Sequence, residues 1–457
     1  MMKKYDVVVI GAGVSGLLAA LALSKEGKNV LILEKDKYIG GVCRSYDVDG
    51  YTVDTGPHAI TRMEVGPLKQ LMDKYFDVIP NFVSFGQYYV RMNNKVKLFP
   101  HNIKKWLMFD LLPAEDRLLL MKSAFDVLYM LKTGKNLSDI SIEEISPKNL
   151  SSDSKLFLDY LSYFMLGTSA KNAPVSRFID HQDDKEDPLQ LPYIGRLYNL
   201  LIDRDESDQR YPKGGIQKII DSIIMSFPKN KVEIKTCEKV ISIDVDNNKI
   251  AKKVTTDKGG YECDFVIYSG FSSELPDIIK SENSLQDILP EDYIQNLRNI
   301  KKTNSLTIWL GLKKKIFNRY GSEMWVSTDT DLNLHTWIIA TSNYDENLAP
   351  AGKQLVSFGF IVPDDGCSTN EVRKKALNSI FNTMPEIEKE VEMIHYQELI
   401  PEKACWEMGS GFGDVKTPIK NLYCVGSDSE KRSMGLTRSA YTVLRMLELM
   451  KIDGNLR

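Results

Sequence analysis

The stretch Val7–Glu34, VVVIGAGVSGLLAALALSKEGKNVLILE, constrains this chain more than any other part of it. A short apolar strand, Tyr5–Ile10, runs into Gly11-x-Gly13-x-x-Gly16. A helix follows, and then a second apolar strand that ends at Glu34. This is the dinucleotide-binding βαβ fingerprint in its full context. Gly11 permits the tight turn, Gly13 lets the backbone approach a pyrophosphate, and Gly16 lets the helix pack close to the strand. Phosphate charge then sits at the helix N-terminus, beside Val14 and Ser15, where free N–H groups point at it. Glu34 lies 18 residues after Gly16, where a carboxylate accepts bonds from ribose hydroxyls; Lys35 beside it joins the candidate site.

The same stretch has a competing reading. Val7–Ser24 is 18 residues without a charge, preceded by Lys3 and Lys4, as in a signal peptide or a membrane span. Three internal glycines, Asp6 at the edge and an immediate return to a β-branched strand argue against both. With 457 residues the chain is too long for one ordinary core, so two domains are expected. Its 59 basic and 62 acidic residues nearly cancel and form no basic tract, so no nucleic-acid partner is expected. Six scattered cysteines without a CxxC, and five scattered histidines without an HExxH, predict neither a disulfide framework nor a metal site. A cytoplasmic protein is the expectation.

The fingerprint continues into Tyr38-Ile-Gly40-Gly41-Val42-Cys43-Arg44-Ser45, and then Gly50-Tyr51-Thr-Val-Asp54-Thr-Gly56-Pro57-His58. On these motifs the chain resembles the flavoprotein superfamily of phytoene desaturases, protoporphyrinogen oxidases and monoamine oxidases. Members follow the first βαβ unit with a twin-glycine motif, R-x-G-G-R-x-x-S/T, and a G-aromatic-x-hydrophobic-D-x-G-P segment. The chain matches at Gly40, Gly41, Ser45, Gly50, Tyr51, Asp54, Gly56 and Pro57. It departs at both arginines, which are Tyr38 and Val42, and Arg44 is the candidate replacement for the lost positive charge.

The resemblance implies FAD and assigns further segments. Tyr211-Pro-Lys-Gly-Gly215 opens a helix, Gln217–Ser226, where the chain returns to the flavin domain. Short strands follow at Val232–Ile234, Val240–Asp244, Ala251–Thr256 and Gly260–Cys263, then Phe265–Ser269 with Gly270 at its end. In relatives, backbone at a position like Val240 holds the adenine. Asn421-Leu-Tyr-Cys-Val-Gly426-Ser427-Asp428 resembles the family's terminal strand, and Gly435-Leu436-Thr437 begins a helix whose N-terminus faces the flavin ring. Ser433-Met434-Gly435-Leu436 stands where many desaturases carry G-I-P-G. Independently of the resemblance, three widely spaced segments each end in an apolar strand and a glycine, which demands a long ligand.

The expected fold class is α/β. A Rossmann-like FAD-binding domain, with a parallel sheet, a βαβ unit and a β-meander, takes residues 1–80, 205–275 and 405–457. A discontinuous substrate domain, with an antiparallel sheet and helices, takes 81–204 and 276–404. Strands are expected at Ser305–Leu312, Thr336–Thr341 and Leu355–Val362, and helices over 103–131, Asp153–Leu166 and Asn370–Thr383. Asp180–Asp187 reads as an exposed acidic run. Trp309, Trp325, Trp337 and Trp406 suit either a hydrophobic cavity or plain core.

The chemistry implied is hydride transfer between the flavin and a bulky apolar substrate. No acid, base or nucleophile is obvious. His58 is the one candidate for moving a proton, against a structural histidine bonded to backbone or cofactor. Arg62 and Arg438 suit an anionic group or a structural ion pair. The stretch 103–131 mixes apolar residues with Lys104, Lys105, Arg117 and Lys122, as a peripheral membrane contact does, although a pair of core helices explains the pattern equally. A polyisoprenoid or carotenoid-type substrate leads, followed by protoporphyrinogen, an amine, a sugar nucleotide contacted by Arg62 and Arg91, and a non-catalytic flavin- or lipid-binding role.

Overall fold

Continuous apolar strands such as Val30–Leu33 cannot face water on either side, so a parallel sheet buried on both faces forms around them. The structure is a computed structural model and describes residues 3–56, 58–178, 208–327, 335–362, 368–402 and 407–456. Asp180–Asp187, Pro57 and Trp406 lie outside the described residues.

The first sheet has eight strands. Lys3–Ile10 pairs in parallel with Val30–Leu33 on one side and with Gly260–Tyr268 on the other. Val232–Lys235 extends the sheet in parallel beyond Val30–Leu33. Val240–Val245, Ala251–Thr256 and Gly260–Tyr268 form the antiparallel meander, and Leu422–Cys424 adds to Gly260–Tyr268 in parallel. The segments expected at Gly260–Cys263 and Phe265–Ser269 are thus one unbroken strand.

Side-chain alternation divides the core. Val7 and Val9 face helices Val14–Lys25, Pro67–Tyr75, Gln217–Met225 and Gly435–Ile452. Val8 and Ile10 face Leu275, Ile288, Leu289 and Ile294 on the other side. Ile279–Lys280 also pairs with this sheet, so its core reaches past the boundary expected at residue 275.

The second sheet has seven strands in the order Val391–Glu402, Thr303–Leu312, Gln354–Val362, Thr336–Ile339, Gly321–Val326, Gln87–Met92, Lys95–Leu98. All its pairs are antiparallel except Gly321–Val326 with Gln87–Met92. One face carries Leu306, Ile308, Val356, Phe358 and Phe360 against helix Thr369–Thr383. The helical stretch expected over 103–131 splits into Ile103–Leu107 and Ala114–Lys132. Pro113 marks the break, because its ring disfavours helical geometry at Leu112 while suiting a helix start.

Candidate active site

The fingerprint loop is held by direct glycine contacts. A Cβ on Gly16 would sit 2.1 Å from the Gly11 carbonyl oxygen, so the first helix packs against its own turn as only glycine allows. Gly41, at φ +59°, crosses Gly13 so closely that a Cβ there would lie 3.2 Å from the Gly13 Cα. The Gly40 amide donates to the Ala12 carbonyl at 2.7 Å, locking the twin-glycine loop over the fingerprint. No side chain caps helix Val14–Lys25 and its first turn has no acidic residue, so its N-terminal dipole is left open to the cleft that Gly13, Val14 and Ser15 border. Glu34 is buried, and accepts the Ala12 amide on one carboxylate oxygen (2.7 Å) and the Asp36 amide on the other (2.9 Å). Each oxygen keeps a second lone pair for a ribose hydroxyl.

The cleft, of about 1370 Å³, runs past this loop into the space between the two sheets. Gly11, Gly13, Val14, Ser15, Glu34, Lys35, Gly40, Gly41, Gly56, His58, Val240, Gly270, Gly426, Ser427, Gly435 and Leu436 all border it. Residues more than 400 positions apart thus meet around one cavity. Such a volume exceeds what a mononucleotide fills and matches an extended dinucleotide with a substrate beside it.

Four expected site residues stand behind the cleft wall. Gly16 serves helix packing, as above. Arg44 does not border the cleft: its Nε donates to the Gly41 carbonyl at 2.9 Å and its guanidinium lies over Tyr38. Asp428 accepts the Ser272 amide at 2.7 Å, and its other carboxylate oxygen is buried without a partner among the described residues. Thr437 is tied to Thr61, its hydroxyl 2.8 Å from the Thr61 hydroxyl.

His58 borders the cleft with its edge against Trp309, ring centroids 5.3 Å apart. Its Nε2 is buried without a hydrogen-bond partner among the described residues. Burial pushes its pKa below the usual histidine value, and the Asp54 carboxylate opposes this only in part. Burial therefore favours the neutral imidazole. Arg438 is fully buried and donates to the carbonyls of Ser427 and Ser433, which places it as a clamp on the loop before the last helix. Arg62 borders the cleft and donates to the Tyr441 hydroxyl at 2.9 Å.

The far part of the cleft is built by strand alternation. Ser305, Thr307, Ser322, Ser357 and Gly359 project from the second sheet on the face opposite its hydrophobic core. These small side chains make the floor. Phe85, Tyr88, Phe99, Phe164, Met324 and Trp337 make the walls. Of the described tryptophans expected to suit a cavity, Trp337 lines it, whereas Trp309 and Trp325 are fully buried in core. Tyr88, Tyr163, Phe164, Glu238 and Tyr268 also border the cleft and had no local motif to announce them. Among the described residues no group of three His, Cys, Asp or Glu side chains can hold a metal ion.

A nucleotide cradle joined to an apolar chamber defines a flavoprotein oxidoreductase. The model of the flavin-containing amine oxidoreductases matches residues 14–397, and the chain belongs to this family of FAD-dependent oxidoreductases. It is 26% identical over 337 residues to 1-hydroxycarotenoid 3,4-desaturase of Flavobacterium sp. (strain P99-3), a match covering 68% of this chain and 64% of the desaturase. A shorter match, 40% identical over 103 residues, is to all-trans-retinol 13,14-reductase of Macaca fascicularis and covers 21% of this chain and 17% of the reductase. The chain therefore spans less than two thirds of these curated relatives. An oxidoreductase structure from Methanosarcina mazei superposes with a TM-score of 0.73 at 21% identity, covering 97% of this chain and 99% of that one, and shares the fold.

Proposed function

We propose that the chain transfers hydride between FAD and a bulky apolar polyene, as a polyisoprenoid- or carotenoid-type desaturase or a related redox enzyme. The far arm of the cleft carries this reading: among the described residues a floor of serine, threonine and glycine lies beneath aromatic walls, a surface that admits a long flat hydrocarbon. The desaturase and the reductase, by their names, act on conjugated polyenes.

The residues present fit FAD. Gly13, Val14 and Ser15 would hold the diphosphate, Glu34 a ribose, the Val240 backbone the adenine, and Gly435 with Leu436 the ring end. When bound, FAD supplies the two-electron acceptor or donor for hydride transfer. The chain's own residues then orient the substrate and exclude water. His58, which borders the cleft, is the residue assigned to hold a proton. On this reading the chain divides as the sequence suggests, with the core of the flavin domain extended to about residue 300. On this reading the enzyme would act in the cytoplasm, beside a membrane that supplies its apolar substrate.

Other readings have less support. Tyr423 is fully buried and donates to Asp453, away from the cleft, so it supplies no amine cage. Arg91 is paired with Glu323 and does not border the main cleft, whereas Arg62 does, so the sugar-nucleotide reading keeps one of its two expected arginines.

The test is anaerobic mixing of the FAD-loaded protein with phytoene in detergent, and of the dithionite-reduced protein with a conjugated carotenoid. A change in the visible flavin absorbance in either direction is the expected result. No change with either polyene, together with bleaching by protoporphyrinogen or a primary amine, overturns the reading.

A further inference from the structure

Glu238 is a buried acid whose carboxylate is bonded on one side alone. One oxygen accepts the Tyr261 hydroxyl at 2.6 Å and the Thr256 hydroxyl at 2.8 Å. Among the described residues the other oxygen accepts no hydrogen bond, and the residue borders the cleft. The lysine close by, Lys235, bonds the Tyr261 hydroxyl at 2.8 Å and pairs with Glu233, so it does not offset the charge directly. A neutral amide oxygen would satisfy both hydroxyls equally well. A carboxylate 4% exposed, with one oxygen unbonded, is costly unless something in the cleft donates to it.

The backbone places this acid at the adenosine end of the cleft. The Glu238 amide donates to the Glu34 carbonyl at 2.9 Å, and the Cys237 amide to the Asp36 carbonyl at 3.0 Å. Cys237, at φ +53°, takes the left-handed conformation that turns the chain between strands Val232–Lys235 and Val240–Val245. Glu238 thus stands beside the residue assigned to a ribose and two positions before the one whose backbone is assigned to the adenine. Thr256 fixes the carboxylate from behind. Its hydroxyl accepts the amides of Lys258 (3.1 Å) and Gly259 (3.0 Å), which leaves its own proton to donate.

A carboxylate oxygen only accepts hydrogen bonds. At C6 adenine carries an amine, a donor, where hypoxanthine and guanine carry a carbonyl oxygen, an acceptor. We infer that Glu238 accepts a hydrogen bond from the adenine amine of FAD and so selects the adenine dinucleotide over its 6-oxopurine counterparts, with Thr256 and Tyr261 as its positioning residues. The inference rests on the assignment of the Val240 backbone to the adenine and is independent of the polyene reading.

The test is fluorescence titration of the full FAD-free chain with FAD, with flavin hypoxanthine dinucleotide and with FMN, for the wild type, Glu238→Gln and Thr256→Val. The wild type is expected to bind FAD about tenfold or more tightly than the hypoxanthine analogue. In Glu238→Gln the amide oxygen keeps the bonds from Tyr261 and Thr256 while the amide nitrogen, a donor, faces the cleft. This variant is expected to lose or reverse the preference. Thr256→Val, which keeps the charge but frees the carboxylate to turn, should reduce the preference in part. FMN has no purine and should bind all three proteins alike, which a general disturbance of the fold would not allow. The inference is overturned if the wild type binds the two dinucleotides equally, or if Glu238→Gln keeps the wild-type preference, since the backbone then reads the purine. It is also overturned if Glu238→Gln weakens both dinucleotides to the same extent, as loss of a ribose contact would. Should Glu238→Gln not fold, the wild-type ratio and its change in Thr256→Val decide the matter. A wild type that takes up no FAD removes the cofactor assignment as well, whereas FAD uptake indifferent to the purine removes the role of Glu238 alone.

Discussion

The Tyr211 hydroxyl donates to a carboxylate oxygen of Asp54 at 2.6 Å, although 157 residues separate them. The other Asp54 oxygen accepts the Ser45 hydroxyl (2.6 Å) and the Ile216 amide (3.1 Å). The Asp54 carbonyl accepts Gln397 Nε2 at 2.9 Å. Three distant parts of the chain, the Ser45–Asp54 hairpin, the Tyr211–Ile216 segment and Gln397, are therefore tied at one buried residue. Burial and the Asp54 charge push the Tyr211 phenol far above its usual pKa, so it remains a donor. A Cβ on Gly215 would lie 2.8 Å from Asp54 Oδ1, so glycine is needed there for the helix entry to reach the carboxylate.

Replacing Asp54 should loosen the junction between the two sheets. Each hydrogen bond to a buried charge contributes about 1.5–3 kcal/mol, and its loss strands the Tyr211 and Ser45 hydroxyls. Asp54→Ala is expected to cost about 3 kcal/mol or more, and Asp54→Asn roughly half of that, in urea unfolding of the FAD-loaded protein.

Gly13 and Gly16 should fail in different ways. A Cβ on Gly13 meets nothing within 4 Å and would project into space left for the ligand. Gly13→Ala should leave the unfolding midpoint of the FAD-free protein unchanged while weakening FAD binding about tenfold or more. A Cβ on Gly16 would collide with the Gly11 carbonyl, so Gly16→Ala should destabilise the FAD-free protein by about 2 kcal/mol. Calorimetry with and without FAD separates the two outcomes.

His58 gives a pH dependence of known sign. Its folded pKa lies below the ordinary 6.5, through burial, so below that value the unfolded chain binds a proton that the folded chain refuses. Stability should be full above pH 6.5 and fall as the pH drops towards the lowered folded value. His395 shifts in the same sense, through burial. Subtracting the melting curves of His58→Gln from those of the wild type across this window isolates the His58 contribution. A difference that does not change with pH would show that His58 is not held neutral.

Gly359 and Trp337 face each other across neighbouring strands at the cleft wall. A Cβ on Gly359 would approach the indole to 2.6 Å. Gly359→Ala should turn Trp337 and reshape the far arm without touching the nucleotide loops. The expected result is a rise in KM for the apolar substrate of about fivefold or more, with kcat and the flavin spectrum nearly unchanged.

Much of this protein was legible where function is written in local backbone requirements. Gly11, Gly13, Gly16, Gly40 and Gly41 each answer to a turn or a close approach within a few residues, so the nucleotide loop and its helix could be read without the fold. Strands such as Ala251–Thr256 and helices such as Thr369–Thr383 were read to within a residue because apolar period and caps are short-range signals. The strands Gly321–Val326 and Val391–Glu402 were not anticipated. Charges interrupt the alternation of both, and their place in the sheet depends on partners far along the chain.

Tertiary structure decided the rest, because sheet register and helix facing are long-range properties. No periodicity tells that Ser305, Thr307, Ser357 and Gly359 lie side by side as the floor of a chamber. Nor does the pattern of 103–131 say which of its apolar residues face the core and which face outward. The sequence determined that a dinucleotide is held at a glycine turn. Only the packing of the second sheet and its helices against that turn made the space in which a substrate can meet it.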